Sequence, residues 1–588
     1  MKKTLPLFAA TLLPLAGFAL EMPFSVRGSY MAISAHSEND WGAEHQSGVW
    51  IRNVSNAANS QYVARIIPVS GAGHLEVTDF AESPEKLTLK TSAGDIEVAF
   101  ADEDTILLRS ENVGIRLDFW HKTWWHFIWE KPSAAGRTVG VATLYENGAK
   151  IVVDARRGAK RVDSSWIEGH GAAGAAFEAW NEGDGVEIAL KDFRYDWDGS
   201  LPGTSFDEAL ARQRASFASF LDAMPTVPDE FENARVRAAR LLWSSIVAPR
   251  NQLKREGMLM SKNWMNHIWS WDHCFNAMAL AYGGESECAW DQFIGMFDFQ
   301  APNGQLPDSM DAYTSTYAFV KPPVHGWAFA RMMKTMPLDR DRLAEAYGKL
   351  AKWTQYWLVC RDSDRNGLCE YDHGNDSGWD NSTVFLEMPP LETPELAAYL
   401  TVQMDVLADL AARLGLDGEA AGWKAKADAM AAKATEILFD ADGAPRFRRM
   451  LDGSFHTCDS MLLRMGMILG GRLPAHIREK LLAEVSSEKF LTRFGLATES
   501  PSSGRYDPDG YWRGPIWAPE MMIAIDGVRA CGDEVLAREL ALRFCRMCDK
   551  GGFAENFDAL TGAPLRDKAY TWTASAFLVV AHELEGRK

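Results

Sequence analysis

Residues 393–415 read TPELAAYLTVQMDVLADLAARLG. Thr393 is a favourable N-cap, Pro394 suits the first helical position, and Gly415 is the usual residue just beyond a helix C-terminus. Leucines recur along one face, at positions 396, 400, 407 and 414, as in a helix that buries one side. This stretch therefore predicts a long helix that packs against other helices.

The helical period continues on both sides of this segment. It predicts twelve helices, at residues 229–248, 270–283, 286–299, 324–336, 340–360, 392–414, 417–438, 458–470, 474–486, 514–531, 533–549 and 569–585. Twelve helices make six antiparallel hairpins. Six hairpins can close into an (α/α)6 toroid whose inner ring packs against the outer ring, so the chain is predicted to be mainly α.

The N-terminal third has the period of a β-strand instead. Apolar residues alternate with others at positions 96, 98 and 100 and again at 115, 117 and 119, which indicates strands with one buried face. Residues 21–204 are therefore predicted to form an antiparallel β-sandwich domain. A helical linker at 205–228, which ends with two prolines, connects it to the predicted toroid domain at 229–588.

The composition restricts the function. The chain has 588 residues, of which 47% are hydrophobic, and this suits two packed domains. Its formal net charge of −19 disfavours nucleic acid or an anionic membrane surface as a partner, so a small neutral carbohydrate fits better. The 22 tryptophans suit a protein that stacks aromatic rings on sugars. Oligomeric state and the role of the sandwich stay open at this stage.

The N-terminus and the cysteines bear on the cellular compartment. Residues 1–20 begin with Lys2 and Lys3, continue with an apolar run and end in small residues, which indicates a secretory signal peptide. No later apolar run is long enough to cross a bilayer, so we expect a periplasmic or secreted protein. All eight cysteines lie between Cys274 and Cys548, where they can either form pairs or be buried as small apolar side chains.

Four segments of the predicted toroid carry the candidate chemistry, and most of them mix carboxylates with aromatic residues and glycine. They are WSWDH at 269–273, DSGWDNS at 376–382, YWRGPIW at 511–517 and FAENFD at 553–558. Long connections in a compact domain are usually functional. An aromatic wall raises the pKa of a nearby carboxyl group by desolvation, as a general acid requires, and a second carboxylate that stays ionised can act as a base.

The order of motifs along residues 229–585 resembles glycoside hydrolase family 63. The motifs are W-x-W-D, P-N-G-x-x-P-D, K-P-P, D-x-D-x-N-G-x-x-E, D-S-G-W-D-N-S, Y-W-R-G-P-I-W, E-N-F-D-x-x-T-G and T-W-T-A. The chain is also similar to the wider clan that contains mannosylglycerate hydrolases and family 37 trehalases. The resemblance implies an inverting glycosidase with Asp380 as general acid and Glu555 as general base, the two carboxyl groups lying roughly 6.5–9.5 Å apart.

The resemblance also implies a set of substrate contacts. Trp271 and Asp272 would hold the sugar ring in the minus-one subsite. The remaining predicted substrate-binding residues are Asp376, Trp379, Asn381, Arg513 and Trp517. The sequence departs from the family pattern twice, because Asp376 replaces the usual glutamate and Phe557-Asp558-Ala559 replaces Tyr-Asp-Pro. The first departure leaves the exact substrate open.

The motif D-x-D-x-N-G-x-x-E indicates a metal site. It offers Asp362, Asp364, Asn366, Leu368 and Glu370 as ligands in the alternate spacing that calcium loops use. Relatives in the family carry calcium in a similar loop, whereas an ordinary turn rich in aspartate and asparagine accounts for the residues nearly as well. Position twelve is His373, so the segment is not an EF-hand. We predict a structural calcium ion here and no cofactor for the chemistry.

The leading hypothesis is an exo-acting, inverting α-glucosidase that cleaves a short α-linked glucoside. Trehalose, kojibiose-type or nigerose-type disaccharides and mannosylglycerate are all admissible substrates within the resemblance. One alternative is a catalytically silent carbohydrate-binding protein, which the presence of both Asp380 and Glu555 argues against. Another is a polysaccharide lyase, which would need a tyrosine, histidine and arginine set around an acidic substrate; such a substrate suits this acidic protein poorly.

Overall fold

The structure is a computed structural model that describes residues 20, 22–36, 47–56, 61–71, 73–119, 126–144, 148–167, 171–201 and 203–586. The predicted signal peptide at 1–20 lies outside the described residues except for Leu20. Among the described helices, none combines the length and the apolar character needed to span a bilayer.

Two antiparallel sheets make up the N-terminal domain. Their strands are β1 (Met31–His36), β2 (Gly48–Asn53), β3 (Tyr62–Ser70), β4 (Gly73–His74), β5 (Asp79–Glu82), β6 (Leu87–Lys90), β7 (Asp95–Asp102), β8 (Thr105–Ser110), β9 (Gly114–Phe119), β10 (Phe127–Pro132), β11 (Thr138–Leu144), β12 (Ala149–Arg157), β13 (Ala159–Ile167), β14 (Gly171–Trp180) and β15 (Val186–Phe193). One sheet has the order β1-β2-β3-β9-β14-β13, with β4 beside β3, and the other has the order β10-β11-β12-β15-β8-β7-β6-β5.

The alternation in the sequence has its expected consequence in these sheets. The apolar positions 96, 98 and 100 in β7 and 115, 117 and 119 in β9 are all buried in the core. Helix α1 (Phe206–Ala223) follows the last strand and is capped by Ser205 and Glu208. It packs Phe206 and Ala209 against the outer face of β7 and its neighbours. The predicted antiparallel β-sandwich is therefore confirmed.

The rest of the chain is mostly helical. Its α-helices are α2 (Glu232–Ser245), α3 (Asp272–Tyr282), α4 (Ser286–Ile294), α5 (His325–Thr335), α6 (Arg340–Cys360), α7 (Pro394–Leu414), α8 (Asp417–Ile437), α9 (Ala475–Val485), α10 (Ala518–Ala530), α11 (Glu534–Gly551) and α12 (Thr571–Glu585). Shorter 3-10 helices lie at Asp229–Phe231, Gly295–Phe299, Gly374–Ser377, Thr383–Leu386 and Met461–Arg472. Helix α12 packs against α2, α3, α10 and α11, which brings the last helix back to the first ones.

Helix α7 confirms the prediction made from its sequence. Its leucine stripe is buried, and Gly415 ends the helix in the left-handed conformation with a φ of 78°. The capping differs in one detail. Thr393 occupies the N-cap position but does not cap through its side chain, because its hydroxyl group donates to the Glu395 carboxylate at 2.6 Å.

The predicted α-helix at 458–470 is a 3-10 helix over Met461–Arg472 instead. Glycines, which lower helix propensity, let this segment pack closely on its neighbours. A Cβ atom on Gly466 would lie 3.1 Å from Pro394, and one on Gly470 would lie 2.6 Å from the Ala530 side chain. Close packing at these glycines therefore accounts for the irregular backbone.

Short strand pairs brace the long connections of the helical domain. They are β16 (Ile246–Val247) with β17 (Gly257–Met258), β18 (Ile268–Trp269) with β19 (Ser309–Met310) and β20 (Ser315–Thr316), β21 (Leu391–Glu392) with β22 (Phe447–Arg449) and β23 (Phe455–His456), and β24 (Asn556–Phe557) with β25 (Pro564–Leu565). All eight cysteines are free, and most are buried, so they serve here as small apolar side chains and not as disulfide partners.

The loop between β17 and β18 joins the sandwich to the helical domain. The buried Arg52 guanidinium of β2 donates to the carbonyl oxygen of Lys262 at 2.9 Å and also to that of Asn263. The Asn266 side chain donates to the carbonyl oxygen of Val54 at 2.9 Å. The sandwich thus holds the loop between β17 and β18 in place. The other side of this loop contacts Asp567 through Asn263.

Candidate active site

Three carboxyl groups from distant parts of the chain lie close enough to one phenol to influence its pKa. The pKa of Tyr511 is raised above its usual value first by burial and then by the charges of Glu555, Asp380 and Asp272. The structure therefore brings both predicted catalytic carboxyl groups and the predicted sugar-binding Asp272 into one site.

The loop that carries Asp380 is shaped by Gly378. The 3-10 turn Gly374–Ser377 ends at Gly378, which adopts a φ of 75°. A Cβ atom at this glycine would lie 2.6 Å from the Trp271 ring. The glycine of the motif therefore allows a left-handed turn and lets Trp271 pack directly on the backbone that precedes Asp380.

Asp376 supports this loop through hydrogen bonds of both its carboxylate oxygens. It is buried, and its Oδ1 accepts a hydrogen bond from the backbone of Val320 at 3.0 Å. Its Oδ2 accepts hydrogen bonds from the Arg361 guanidinium at 2.9 Å and from the backbone N–H groups of Asp372 and His373, both at 3.1 Å. Since both oxygens accept from protein donors, Asp376 has a structural role, and its predicted substrate contact stays a prediction.

Asp380 has one covered oxygen and an otherwise accessible carboxyl group. Its side chain is 32% exposed, yet Oδ1 is buried and lies 3.7 Å from the Nζ of Lys321. The exposure therefore belongs to the side of the carboxyl group that carries Oδ2. Burial raises the pKa of Asp380, the charge of Lys321 lowers it, and the charge of Asp308 raises it, with a net rise.

Glu555 lies deeper than Asp380. Its carboxyl group is almost wholly buried, and burial together with the charge of Asp567 raises its pKa to about 8. The Glu555 backbone N–H donates to the carbonyl oxygen of Asp567 at 2.7 Å. The Asp567 carboxylate in turn accepts a hydrogen bond from the Asn263 side chain at 2.9 Å. The loop fixed by the sandwich therefore supports the segment next to Glu555.

Buried tryptophans from the motif segments form a continuous aromatic cluster. Trp512 stacks on Trp517 with ring centroids 3.9 Å apart and on Trp379 with centroids 4.7 Å apart. Trp271 and Trp517 each make an edge contact with Trp572, with centroids 5.5 Å apart in both pairs. The rings of Trp379, Trp512 and Trp517 are all buried, so they pack on one another within the domain.

The other predicted contacts are of two kinds. Asn381 connects two loops, since its side chain donates to the carbonyl oxygen of Gly510 at 3.0 Å and accepts from the backbone of Trp512 at 2.9 Å. Asp272 and Arg513 instead retain unsatisfied polar atoms, because Asp272 Oδ2 and Arg513 Nε are buried without a hydrogen-bond partner. These two side chains thus have bonding capacity left for a ligand.

Residues 265–573 match the family model described as the mannosylglycerate hydrolase MGH1-like glycoside hydrolase domain. The chain belongs to this family. The matched residues span all four segments that carry the candidate chemistry, and they include Asp380 and Glu555.

Curated relatives of this MGH1-like chain act on glycosides of glycerate by name. A mannosylglycerate hydrolase of Rubrobacter radiotolerans is 26% identical, with 54% of this chain and 91% of that protein aligned. A glucosylglycerate hydrolase of Mycolicibacterium hassiacum is 25% identical, with 53% of this chain and 91% of that protein aligned. The MGH1-like chain is therefore a glycoside hydrolase.

Solved structures support the fold. The family 63 mannosylglycerate hydrolase of Thermus thermophilus, in complex with Tris and D-glycerate, aligns with a TM-score of 0.50 at 20% identity, over 59% of this chain and 99% of that one. A bacterial glucoamylase complexed with acarbose aligns with a TM-score of 0.64 at 11% identity, over 97% and 94%. The likeness to family 63 and the predicted order of a sandwich followed by an (α/α)6 toroid are confirmed.

Residues that the sequence reasoning missed complete the site of this MGH1-like domain. Lys321 and Asp308 lie beside Asp380, with Lys321 Nζ 3.2 Å from Asp308 Oδ1. Trp512 is the centre of the aromatic cluster. Lys321 and Asp308 belong to the K-P-P and P-N-G-x-x-P-D motifs, and Trp512 to Y-W-R-G-P-I-W. The motifs were therefore visible, but the contacts between them could not be assigned from spacing alone.

The predicted calcium loop shows features for and against a bound ion. Asp362 Oδ1 and Glu392 Oε2 are buried without a hydrogen-bond partner, and burial raises the pKa of both Asp362 and Glu392. The Arg448 guanidinium, however, contacts Asp364 at 2.9 Å and Glu392 at 2.7 Å. Glu370 accepts hydrogen bonds from Ser363. The loop thus has free ligand atoms and a competing cation.

A second group of metal-ligand side chains lies in the core. Within the part of the chain that the structure describes, ligand atoms of three such residues come within 4.8 Å of one another only at His273, Cys274 and His325. His273 Nδ1 pairs with the carbonyl oxygen of Trp269 at 3.1 Å. The His325 ring packs on those of His273 and Trp353, with centroids 5.1 and 5.8 Å apart. The calcium-loop carboxylates are therefore more widely spread than this group.

Proposed function

We propose that this protein is an inverting, exo-acting α-glycosidase that releases the terminal sugar of a short α-glucoside or a closely related α-glycoside. The observation that carries the proposal is that Asp380, Glu555 and Asp272 all act on Tyr511, whose neighbour Trp512 stacks on Trp379 and Trp517. Carboxyl pairs next to an aromatic surface are the arrangement that glycoside hydrolysis needs. Export through the predicted leader at 1–20 is part of the proposal.

The proposed reaction uses the two carboxyl groups on opposite faces of the sugar ring. Asp380 gives its proton to the leaving glycosidic oxygen as the bond from that oxygen to the anomeric carbon breaks. Glu555 takes one proton from a water molecule whose oxygen forms the new bond to that carbon. The product therefore has the opposite anomeric configuration, and we expect the two carboxyl groups to lie roughly 6.5–9.5 Å apart so that the water fits.

The family supports a small aglycone. Relatives carry the names of mannosylglycerate and glucosylglycerate hydrolases, and both substrates are sugars linked to a three-carbon acid. Trehalase-type and other α-glucosyl disaccharides are the second candidates, because the sequence motifs are shared across the clan. The net charge of −19 argues against long polyanionic substrates.

Proton NMR of freshly released sugar tests the proposal. The purified protein is incubated with α-glucosylglycerate, α-mannosylglycerate, trehalose, kojibiose and nigerose in separate samples. We expect the β-anomer of the terminal sugar to appear first from one of them and to mutarotate afterwards. Initial appearance of the terminal sugar as its α-anomer would contradict inversion. With trehalose, equal initial amounts of α- and β-glucose are expected, because the leaving glucose keeps its α configuration; with kojibiose and nigerose, the leaving glucose keeps the anomeric composition of the disaccharide's reducing end. Binding without release from any of the five would favour a silent carbohydrate-binding protein.

Calcium at the loop of Asp362, Asp364, Asn366, Leu368 and Glu370 is a further part of the proposal. The unpartnered oxygens of Asp362 and Glu392 support it, and a bound ion would brace the chain that leads to the Asp380 loop. We expect EDTA to lower the thermal unfolding midpoint by a few degrees and added calcium to restore it, because an ion that binds only the folded state stabilises that state.

Arg448→Ala is the matched variant for this measurement. If calcium holds the loop, the variant still responds to EDTA. An unresponsive wild-type protein combined with a destabilised Arg448→Ala variant would contradict the calcium proposal and assign its role to the arginine.

A further inference from the structure

A buried lysine lies directly behind the proposed general acid. Lys321 follows the 300–320 connection and precedes α5, and only 7% of its side chain is exposed. Its Nζ donates to the carbonyl oxygen of Asn375 at 3.1 Å and lies 3.2 Å from Asp308 Oδ1 and 3.7 Å from Asp380 Oδ1. The ammonium thus donates a hydrogen bond to the Asn375 carbonyl oxygen and lies within ion-pair distance of two carboxylates, one of which belongs to the acid.

The contact with Asp380 is on the covered oxygen. Oδ1 of Asp380 is buried and faces the ammonium, whereas the exposed surface of the carboxyl group lies on the Oδ2 side. A fixed positive charge next to Oδ1 disfavours a proton on that atom. The acidic proton is therefore directed to Oδ2, on the exposed side of the carboxyl group, where a leaving group would meet it.

We propose that Lys321 is a positioning residue for Asp380, which keeps the acidic proton on Oδ2 and stabilises the carboxylate that remains when this proton passes to the leaving oxygen. The inference rests on the proposed role of Asp380 as the acid. Negative charge develops on Asp380 only as the proton leaves. A preorganised ammonium beside it is therefore worth more in the transition state than in the ground state.

The surrounding charges support a charged lysine. Although burial lowers the pKa of Lys321, the carboxylates of Asp380, Asp308 and Asp272 raise it, with a net rise. The groups that act on Asp380 are Lys321 and His373, which lower its pKa, and Asp308, which raises it together with burial. The charge of Asp380 also acts on Tyr511 and Asp272, whose pKa values it raises. Lys321 is thus the strongest opposing influence on a pKa that burial raises.

The segment around Lys321 also holds the acid loop in place, and this structural role must be separated from the electrostatic one. Val320 donates a hydrogen bond to Asp376 and Lys321 donates one to Asn375, so both residues stabilise the turn before Gly378. Arg361 stabilises the same turn through an ion pair in which its Nη1 lies 2.9 Å from Asp376 Oδ2, and it makes no ion pair with Asp380. Arg361→Met is therefore the matched control for a purely structural effect.

The experiment compares Lys321→Met, Lys321→Arg and Arg361→Met on an O-glycoside and on the fluoride of the same sugar, whose leaving group needs no proton. For Lys321→Met we expect kcat on the O-glycoside to fall by about 10²-fold or more and the loss on the fluoride to be much smaller. The rate on the O-glycoside should fall at high pH as Asp380 loses its proton, and the rate on the fluoride should not show this fall. In Lys321→Met the midpoint of this fall should move upward by about one to three pH units. Lys321→Arg should recover most of both effects.

Asp308→Asn gives an independent test with the opposite sign, which remains available if Lys321→Met does not fold. It removes a negative charge near Asp380 and frees the ammonium to act on Asp380 alone, so the midpoint of the same fall should move downward. Equal losses on both substrates with an unmoved midpoint, as expected for Arg361→Met, would overturn the inference. Full O-glycosidase activity of Asp380→Asn would instead overturn the proposed function on which it rests.

Discussion

Asp380→Asn is expected to lower kcat on the natural O-glycoside by about 10²–10⁴-fold, the range that one general acid contributes. The amide cannot supply the proton that the leaving oxygen needs, whereas the rest of the site is unchanged. On the corresponding glycosyl fluoride the variant should keep a large part of its activity, because fluoride departs without protonation. Steady-state rates on the two substrates measure the difference.

Sugar binding serves as the control for this variant. Titration with the released monosaccharide, followed by the fluorescence of the tryptophan cluster, should give nearly the wild-type affinity for Asp380→Asn. A variant that binds the sugar and still cleaves the O-glycoside at the wild-type rate would show that another group is the acid.

Glu555→Gln is expected to lose about 10²–10⁴-fold in kcat on both substrates. The general base must activate water whether or not the leaving group needs a proton, so the fluoride offers no rescue. This equal loss is what distinguishes the base from the acid. If Glu555→Gln kept its rate on the fluoride, a different carboxylate would have to activate the water.

The pH dependence of the wild-type enzyme on the fluoride provides the second check on Glu555. Burial and the charge of Asp567 raise the pKa of Glu555 to about 8. Only the ionised form can accept a proton from water, so the rate should rise with pH and reach half of its plateau near pH 8. The rise should be absent in Glu555→Gln, and a rate that is already level from about pH 5 to about pH 9 would contradict this assignment.

The pKa shifts of Asp380 and Glu555 have the same direction, so electrostatics alone does not show which of them is the acid and which is the base. Burial raises the pKa of both Asp380 and Glu555, so each carboxyl group has the character of an acid. The motifs assign Asp380 as the acid, and the measurements on paired substrates test that assignment directly. The proximity of Lys321 to Asp380 and of Asp567 to Glu555 shows that each group has its own charged neighbour.

Local patterns in the sequence were sufficient for the fold. The period of two placed the strands of the sandwich, and the period of the 393–415 segment with its flanking Pro394 and Gly415 placed α7 within two residues. Failures occurred where tertiary contacts decide the local geometry. The Met461–Arg472 segment has an apolar helical pattern, but glycine contacts with neighbouring elements make it a 3-10 helix.

The order of motifs was sufficient to predict the catalytic candidates but not the contacts that hold them in place. Asp380 and Glu555 were found because each lies in a distinctive motif, and the structure brings them to the same phenol. The role of Asp376 was missed because its partners Val320 and Arg361 lie 56 and 15 residues away in sequence. Lys321 was not predicted for the same reason. Its role depends on contacts with Asn375 and Asp380, which are distant in sequence and cannot be inferred from local spacing.

The contact between Asn263 and Asp567 has a consequence for how this enzyme is divided into parts. One side of the loop that carries Asn263 is held by Arg52 of the sandwich, and the other side holds the segment beside Glu555. The Rubrobacter relative aligns 91% of its own length with 54% of this chain, so little of it remains to form such a sandwich. In this protein the sandwich is thus a scaffold for the segment beside Glu555, and under the proposed mechanism the two domains make up a single catalytic unit.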